Sequence, residues 1–219
     1  MTSPAIRPVW ADIATPDVAI THAFYARLFG WEIEVATDPQ YGGYAIARAG
    51  GRDVAGIGRT RSAQQPVFWS VYLGTPDADG LATAATAAGA TVVMPPFTVG
   101  DAGRMGVLRD PAGAFIGIWQ PLTMPGFGAT GPGSICWVEL SARDVDRALA
   151  FYGELCGWTA GSNPLPDGRI YHPLMAGGEA IGAAVAMHAG APPHLPSYWM
   201  PYFAVTDTAA SFATAIEAG

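Results

Sequence analysis

FYARLFGW, residues Phe24–Trp31, returns as FYGELCGW, residues Phe151–Trp158, at an offset of 127. The match widens in both directions. Residues 9–32, VWADIATPDVAITHAFYARLFGWE, align without gaps on residues 136–159, CWVELSARDVDRALAFYGELCGWT, with 9 of 24 positions identical. The identities include Trp10/Trp137, Asp17/Asp144, Phe24/Phe151, Tyr25/Tyr152, Gly30/Gly157 and Trp31/Trp158. An internal repeat of this density sets the architecture before any single residue is interpreted.

Each copy reads as strand, helix, strand. Trp10–Ala14 alternates, and Thr15-Pro16 is expected to supply an N-cap followed by proline at the first helical position. In the second copy Ser141, with Asp144 three residues on, is expected to play the same part. Thr21, Phe24, Tyr25 and Leu28 share one helical face, as do Ala148, Phe151, Tyr152 and Leu155. The Phe-Tyr pair is therefore read as a core-facing stripe rather than a cofactor box. Gly30 and Gly157 end the helices. Short strands are expected at Trp31–Val35, Tyr44–Ala47 and Val54–Arg59, and again at Trp158–Gly161, Ile170–Met175 and Ala180–Ala186.

A second kind of unit begins at VFWSVYLGTPDADGLATAATAAG, residues 67–89, and matches residues 197–219, SYWMPYFAVTDTAASFATAIEAG, at an offset of 130. Trp69/Trp199, Tyr72/Tyr202, Asp77/Asp207 and Gly89/Gly219 coincide. The chain thus carries four βα modules in two pairs. Expected domains are residues 5–121 and 134–219, joined by a Pro/Gly-rich linker at 122–133. After Gly89 the first half continues for about three strands' worth of residues, whereas Gly219 is the last residue. The fourth module is expected to lack its final strands, as in a chain cut short, leaving an unpaired sheet edge.

Composition narrows the chemistry. All 11 basic residues are arginine, which excludes a Schiff-base lysine, a pyridoxal phosphate anchor and a phosphate-loop lysine. A net charge of −7 disfavours nucleic acid as a partner. Ala, Gly, Arg and Pro without Lys fit a GC-rich bacterial genome. No apolar run is long enough to span a membrane, and the N-terminus does not read as a signal peptide. A cytoplasmic protein without membrane partners is expected, with Cys136 and Cys156 as free thiols. The expected state is a monomer or homodimer.

The paired βαβββ modules, the phrase TPDVAITHAFYARLFGW and the strand DPAGAFIGIWQ together resemble the vicinal oxygen chelate superfamily, which includes glyoxalase I, bleomycin-resistance proteins and extradiol dioxygenases. The resemblance covers nearly the whole chain from Val9 and implies an α+β fold of tandem glyoxalase-like domains. It further implies that two modules curl their strands into a cup holding a ligand or metal. Metal-using members would place their first-strand ligands at Trp10 and Ser70, and in the second half at Trp137 and Met200. Their carboxylates would fall at Gly56, Gly117 and Gly182. Trp, Ser, Met and Gly do not form a divalent-metal donor set, so no metal or other cofactor is expected. His22 is expected to face solvent. His172, His188 and His194 leave open a metalloenzyme with atypical ligands.

Strand alternation puts Trp10 and Asp12 on one face and Ala11 and Ile13 on the other. With Ala11 and Ile13 under the helix, Trp10 and Asp12 point into the cup, as do Trp137 and Glu139 in the repeat. Trp10, Trp137 and Trp69 would then wall a site whose floor Ser70, Gly56 and Gly117 leave open, and Arg104 or Arg109 could orient an anionic substrate. A planar or aromatic ligand suits such walls, although the tryptophans could instead fill the cup with protein. Asp12 and Glu139 are the candidate acid/base groups, while Asp110-Pro111 reads as a turn. Two functions stay open at this level. One is a metal-free small-molecule binder of the resistance or sequestration kind, and the other is an enzyme of secondary metabolism or degradation.

Overall fold

A computed structural model describes residues 5–219. Among the described residues the fold is mixed α+β, with two sheets and four α-helices. In chain order the elements are β1 (Arg7–Thr15), α1 (Val18–Phe29), β2 (Glu32–Val35), β3 (Ala45–Ala49), β4 (Arg52–Arg59), β5 (Phe68–Gly74), α2 (Ala78–Ala87), β6 (Thr91–Val99), β7 (Gly103–Arg109) and β8 (Phe115–Pro121). They continue with β9 (Ile135–Ala142), α3 (Val145–Cys156), β10 (Thr159–Ala160), β11 (Asn163–Pro164), β12 (Ile170–Ala176), β13 (Glu179–Ala186), β14 (Tyr198–Phe203) and α4 (Thr208–Ala218). Backbone hydrogen bonds order the first sheet β2-β3-β4-β1-β5-β8-β7-β6 and the second β10-β12-β13-β9-β14, with β11 on β12.

All four helices begin on an aspartate. Asp17, Asp77, Asp144 and Asp207 each accept the backbone N–H three residues on, at 2.9–3.1 Å. This corrects the expected caps at Thr15 and Ser141. Thr15 instead receives the Asp17 N–H on its hydroxyl, one step outside the helix, so Pro16 precedes the cap. A carboxylate at the cap also complements the helix dipole. Gly30 and Gly157 close α1 and α3 in the left-handed region, both with φ of 68°, where a side chain would be strained.

Packing groups the chain into two compact units. One comprises residues 10–69, 125–136 and 201–219. In it α1 packs beside α4 and against β2 and β4. Its core joins Ile13, Trp31, Ala45, Ala47, Ala55 and Ile57, with Tyr25, Phe29, Trp69 and Phe203 against them. Ala11 and Ile13 are buried, and Ile13 meets the α1 aromatics as strand alternation requires. Trp31 anchors this unit further by donating its indole N–H to the Gly133 carbonyl at 2.7 Å.

The other unit comprises residues 5–9, 70–124 and 137–200. There α2 lies across β6, β7 and β8 and beside α3. Its interior holds a buried polar chain. The Trp199 indole donates to the Tyr152 hydroxyl at 2.9 Å, which donates to Asp110 Oδ2 at 2.9 Å. Asp110 also receives the Ala114 N–H on Oδ1 and the Gly113 N–H on its carbonyl, so the Asp110-Pro111 turn is present as read. Burial pushes the Asp110 carboxyl and the Tyr152 phenol above their ordinary pKa ranges.

Candidate functional site

The face of β1 turned away from α1 carries Trp10 and Asp12. A third residue joins them. Tyr44, just before β3, accepts the Trp10 indole N–H at 3.0 Å and donates its own proton to Asp12 Oδ2 at 3.0 Å. Register brings the three together: Asp12 lies opposite Gly56 on parallel β4, and β3 runs antiparallel to β4 on its far side. A Cβ on Gly56 would fall 1.7 Å from the Tyr44 Oη and 2.9 Å from the Asp12 Cβ. A Cβ on Gly58 would fall 3.3 Å from the Tyr44 ring. Gly56 and Gly58 thus form a trough in which the phenol lies.

The second copy repeats the arrangement at the same offset. The Trp137 indole donates to the Tyr171 hydroxyl at 2.8 Å, and Glu139 stands near the same phenol. Burial, with the Glu139 charge adding to it, raises the Tyr171 pKa above the ordinary phenol value. The residue opposite Glu139 on β13 is Ala183, and Tyr171 lies opposite Val185. Ala183 therefore corresponds to Gly56. Gly182, where the resemblance placed a carboxylate, has its missing Cβ aimed instead at the Val138 carbonyl, 2.5 Å away.

Tyr44 and Tyr171 escaped the sequence reading, which saw only strand residues in them. The signal was available, since both stand at the offset of 127 that relates the tryptophans and the acids.

The other predicted residues divide. Trp10 is only 3% exposed, with the Phe127 ring 5.8 Å away, whereas Trp137, Asp12 and Glu139 are half-buried. Gly117 faces the same way as Tyr72, whose ring lies 2.1 Å from where a Gly117 Cβ would stand, so that space is filled by an aromatic. Ser70 shares the Tyr72 side of β5. Trp69 does not. By alternation it points to the helix side, where its indole donates to the Tyr25 hydroxyl at 3.0 Å within the aromatic core. It is a packing residue, not a ligand wall.

Arg104 is likewise corrected. Its position on β7 opposite Gln120 puts it on the helix side, where it pairs with Asp79 of α2 at 2.7 Å. Arg109 is exposed at the end of β7.

His22 departs from expectation too. It is half-buried, and its Nε2 is shielded without a hydrogen-bond partner among the described residues; burial lowers its pKa.

The donor chemistry does not suit a divalent metal. At the positions where the resemblance implies ligands stand Trp10, Ser70, Gly56 and Gly117, and the space at the two glycines holds Tyr44 and Tyr72. His172 Nδ1 contacts the Gly161 carbonyl, His188 accepts the Gly190 N–H and His194 is exposed. Among the described residues no three His, Cys, Asp or Glu side chains cluster as a metal set.

A family model described as Glyoxalase/Bleomycin resistance protein/Dioxygenase superfamily matches residues 7–118. The chain belongs to this superfamily. It is 36% identical to CFP32 of Mycobacterium tuberculosis, over 97% of this chain and 82% of that protein. It is 35% identical, at the same coverages, to the anthracycline biosynthesis protein DnrV of Streptomyces peucetius. Among solved structures, the Mn(II)-bound glyoxalase from Novosphingobium aromaticivorans superimposes with a TM-score of 0.61 at 17% identity, covering 84% of this chain and 63% of that one. The 2,3-dioxygenase LapB from Pseudomonas sp. KL28 gives 0.64 at 15% identity, covering 100% and 80%. Likeness at these identities shows the fold alone. Among the described residues no helix is long and apolar enough to cross a membrane.

Proposed function

We propose that this protein binds a small planar or aromatic molecule without a metal, on the sheet face turned away from the helices, beside the Trp–Tyr–carboxylate relay. One observation carries the reading. The Trp–Tyr hydrogen bond with a carboxylate beside the phenol occurs twice at a fixed offset, on the strand where metal-binding relatives of this fold would hold their ligands. The indoles and phenols offer apolar surface with a polar edge, and the half-buried carboxylate orients what binds. Because Trp10 is buried, a ligand at the first relay approaches through the Tyr44–Asp12 edge, and Trp10 acts by holding Tyr44. Relatives named for anthracycline biosynthesis support a place in secondary metabolism.

A second reading rests on the same contact. A phenol held at 3.0 Å from a carboxylate is a ready path for a proton, so Asp12 or Glu139 could serve as general base in a lyase or isomerase reaction.

Calorimetry with a panel of planar aromatics, run on a sample whose metal content is measured in parallel, tests the proposal. Saturable binding by metal-poor protein, weakened in Asp12→Asn, is the expected result. Near-stoichiometric metal, lost on replacing His172, His188 or His194, together with no aromatic binding, would overturn it. Turnover abolished by Asp12→Asn with affinity retained would favour the enzymatic reading.

A further inference from the structure

The two Trp–Tyr pairs are built alike but sit at different depths. In the first copy the Tyr44 phenol lies in the trough left by Gly56 and Gly58, where a Cβ on Gly56 would stand 1.7 Å from its Oη. At the same offset the second copy carries Ala183 and Val185, with Ala183 opposite Glu139 and Val185 opposite Tyr171. A methyl now occupies the space that the first phenol uses, so the Tyr171 ring cannot sink to the depth of Tyr44. It still accepts the Trp137 indole N–H, at 2.8 Å, and so holds that indole at the raised level too. The exposures agree: Trp10 is buried, whereas Trp137 keeps part of its surface open.

What lies against each indole also differs. The Phe127 ring stands 5.8 Å from Trp10 with the planes 34° apart, within the range of attractive aromatic pairs. Phe127 comes from outside the repeat, on the segment between the two copies, where the Gly128 N–H donates to the Asp53 carbonyl on β4 at 2.9 Å. The ring pairs of the second copy join Phe151, Tyr152, Trp158 and Trp199 around α3, and among the described residues none includes Trp137. The first copy thus shows what the position beside such an indole receives. There the chain fills it with a ring of its own.

We infer that Trp137 is a stacking platform: a planar aromatic ring of the ligand lies against its indole, in the place that Phe127 takes beside Trp10. The first copy, holding its own ring, takes ligand only at the Tyr44–Asp12 edge. This rests on the binding reading above and adds which copy holds the ring and by which surface. An indole face favours a flat unsaturated ring over a puckered one of the same skeleton, because only the flat ring brings a π surface into contact. The hydrogen bond to Tyr171 fixes the indole before the ligand arrives, so little order is lost on binding.

Calorimetry with 2-naphthol and with decahydro-2-naphthol, the same alcohol on a saturated skeleton, tests this. Wild-type protein should bind 2-naphthol in two classes of site, the stronger at least about threefold tighter for 2-naphthol than for the saturated alcohol. Trp137→Leu keeps an apolar side chain but removes the platform, and should weaken the stronger class at least about tenfold. Adding Phe127→Ala to Trp137→Leu frees the face of Trp10. The double variant should bind 2-naphthol at least about threefold more tightly than Trp137→Leu alone, a gain that mere loss of packing does not produce. Should Trp137→Leu fail to fold, Phe127→Ala alone decides, by tightening the weaker class. If Trp137→Leu binds 2-naphthol as the wild type does, if the saturated alcohol binds as tightly, or if Phe127→Ala brings no gain, the platform is wrong while the binding reading stands. If 2-naphthol does not bind the wild type, the binding reading itself falls and this inference with it.

Discussion

Gly56→Ala puts one carbon into the space that the Tyr44 hydroxyl fills. The added Cβ would stand 1.7 Å from Oη, 2.4 Å from Cζ and 2.9 Å from the Asp12 Cβ, all inside van der Waals contact. The phenol must leave, because the glycine is held by pairing to both Asp12 and Ile46. Leaving breaks a hydrogen bond to a carboxylate and orphans the indole N–H of Trp10. Those losses amount to about 2–4 kcal/mol of stability, and for a chain of this size to a fall in Tm of about 5–15 °C. Tyr44→Ala makes the same breaks from the other side and vacates the space. Adding Gly56→Ala to Tyr44→Ala should therefore cost less than about 0.5 kcal/mol, giving a coupling of about 2–4 kcal/mol between the two positions. Urea denaturation of the four proteins measures the cycle. Additive losses, or a Gly56→Ala single variant as stable as wild type, would show that Tyr44 does not occupy this trough.

Two further outcomes follow from the buried groups. The Asp110 pKa is raised by burial, so as pH climbs past the ordinary aspartate value the unfolded chain releases this proton before the folded one does. The folded state then holds more protons, and stability falls as pH rises above the ordinary aspartate value until the raised one is passed. Asp110→Asn should flatten that component in urea melts, and a wild type that gains on the variant as pH rises would contradict the assignment. For the thiols, burial pushes the Cys156 pKa to about 12 while Cys136 is exposed. A colourimetric disulfide reagent should titrate one thiol quickly and the second only on unfolding, and two equally fast thiols would refute this.

Much was determined by local sequence. The offset of 127 paired the helices, periodicity picked their buried stripes, and Gly30 and Gly157 marked ends that only a left-handed residue closes easily. Alternation along β1 placed Trp10 and Asp12 on one face, since successive strand residues must point oppositely. The same rule puts Trp69 on the face opposite Ser70, yet which face of β5 meets the helix depends on what packs there, and Tyr25 on α1 is 44 residues away in sequence. The caps moved from Thr15 and Ser141 to Asp17 and Asp144 because the choice among adjacent polar residues is made by where the chain leaves the strand. Only the tertiary structure brought Tyr44 to Asp12 and Tyr171 to Glu139, and only it gathered residues 10–69 with 201–219. Those contacts depend on sheet register, and register is set by the summed burial of whole strands rather than by any short motif, so a residue as decisive as Gly56 reads in sequence as nothing more than a small strand residue.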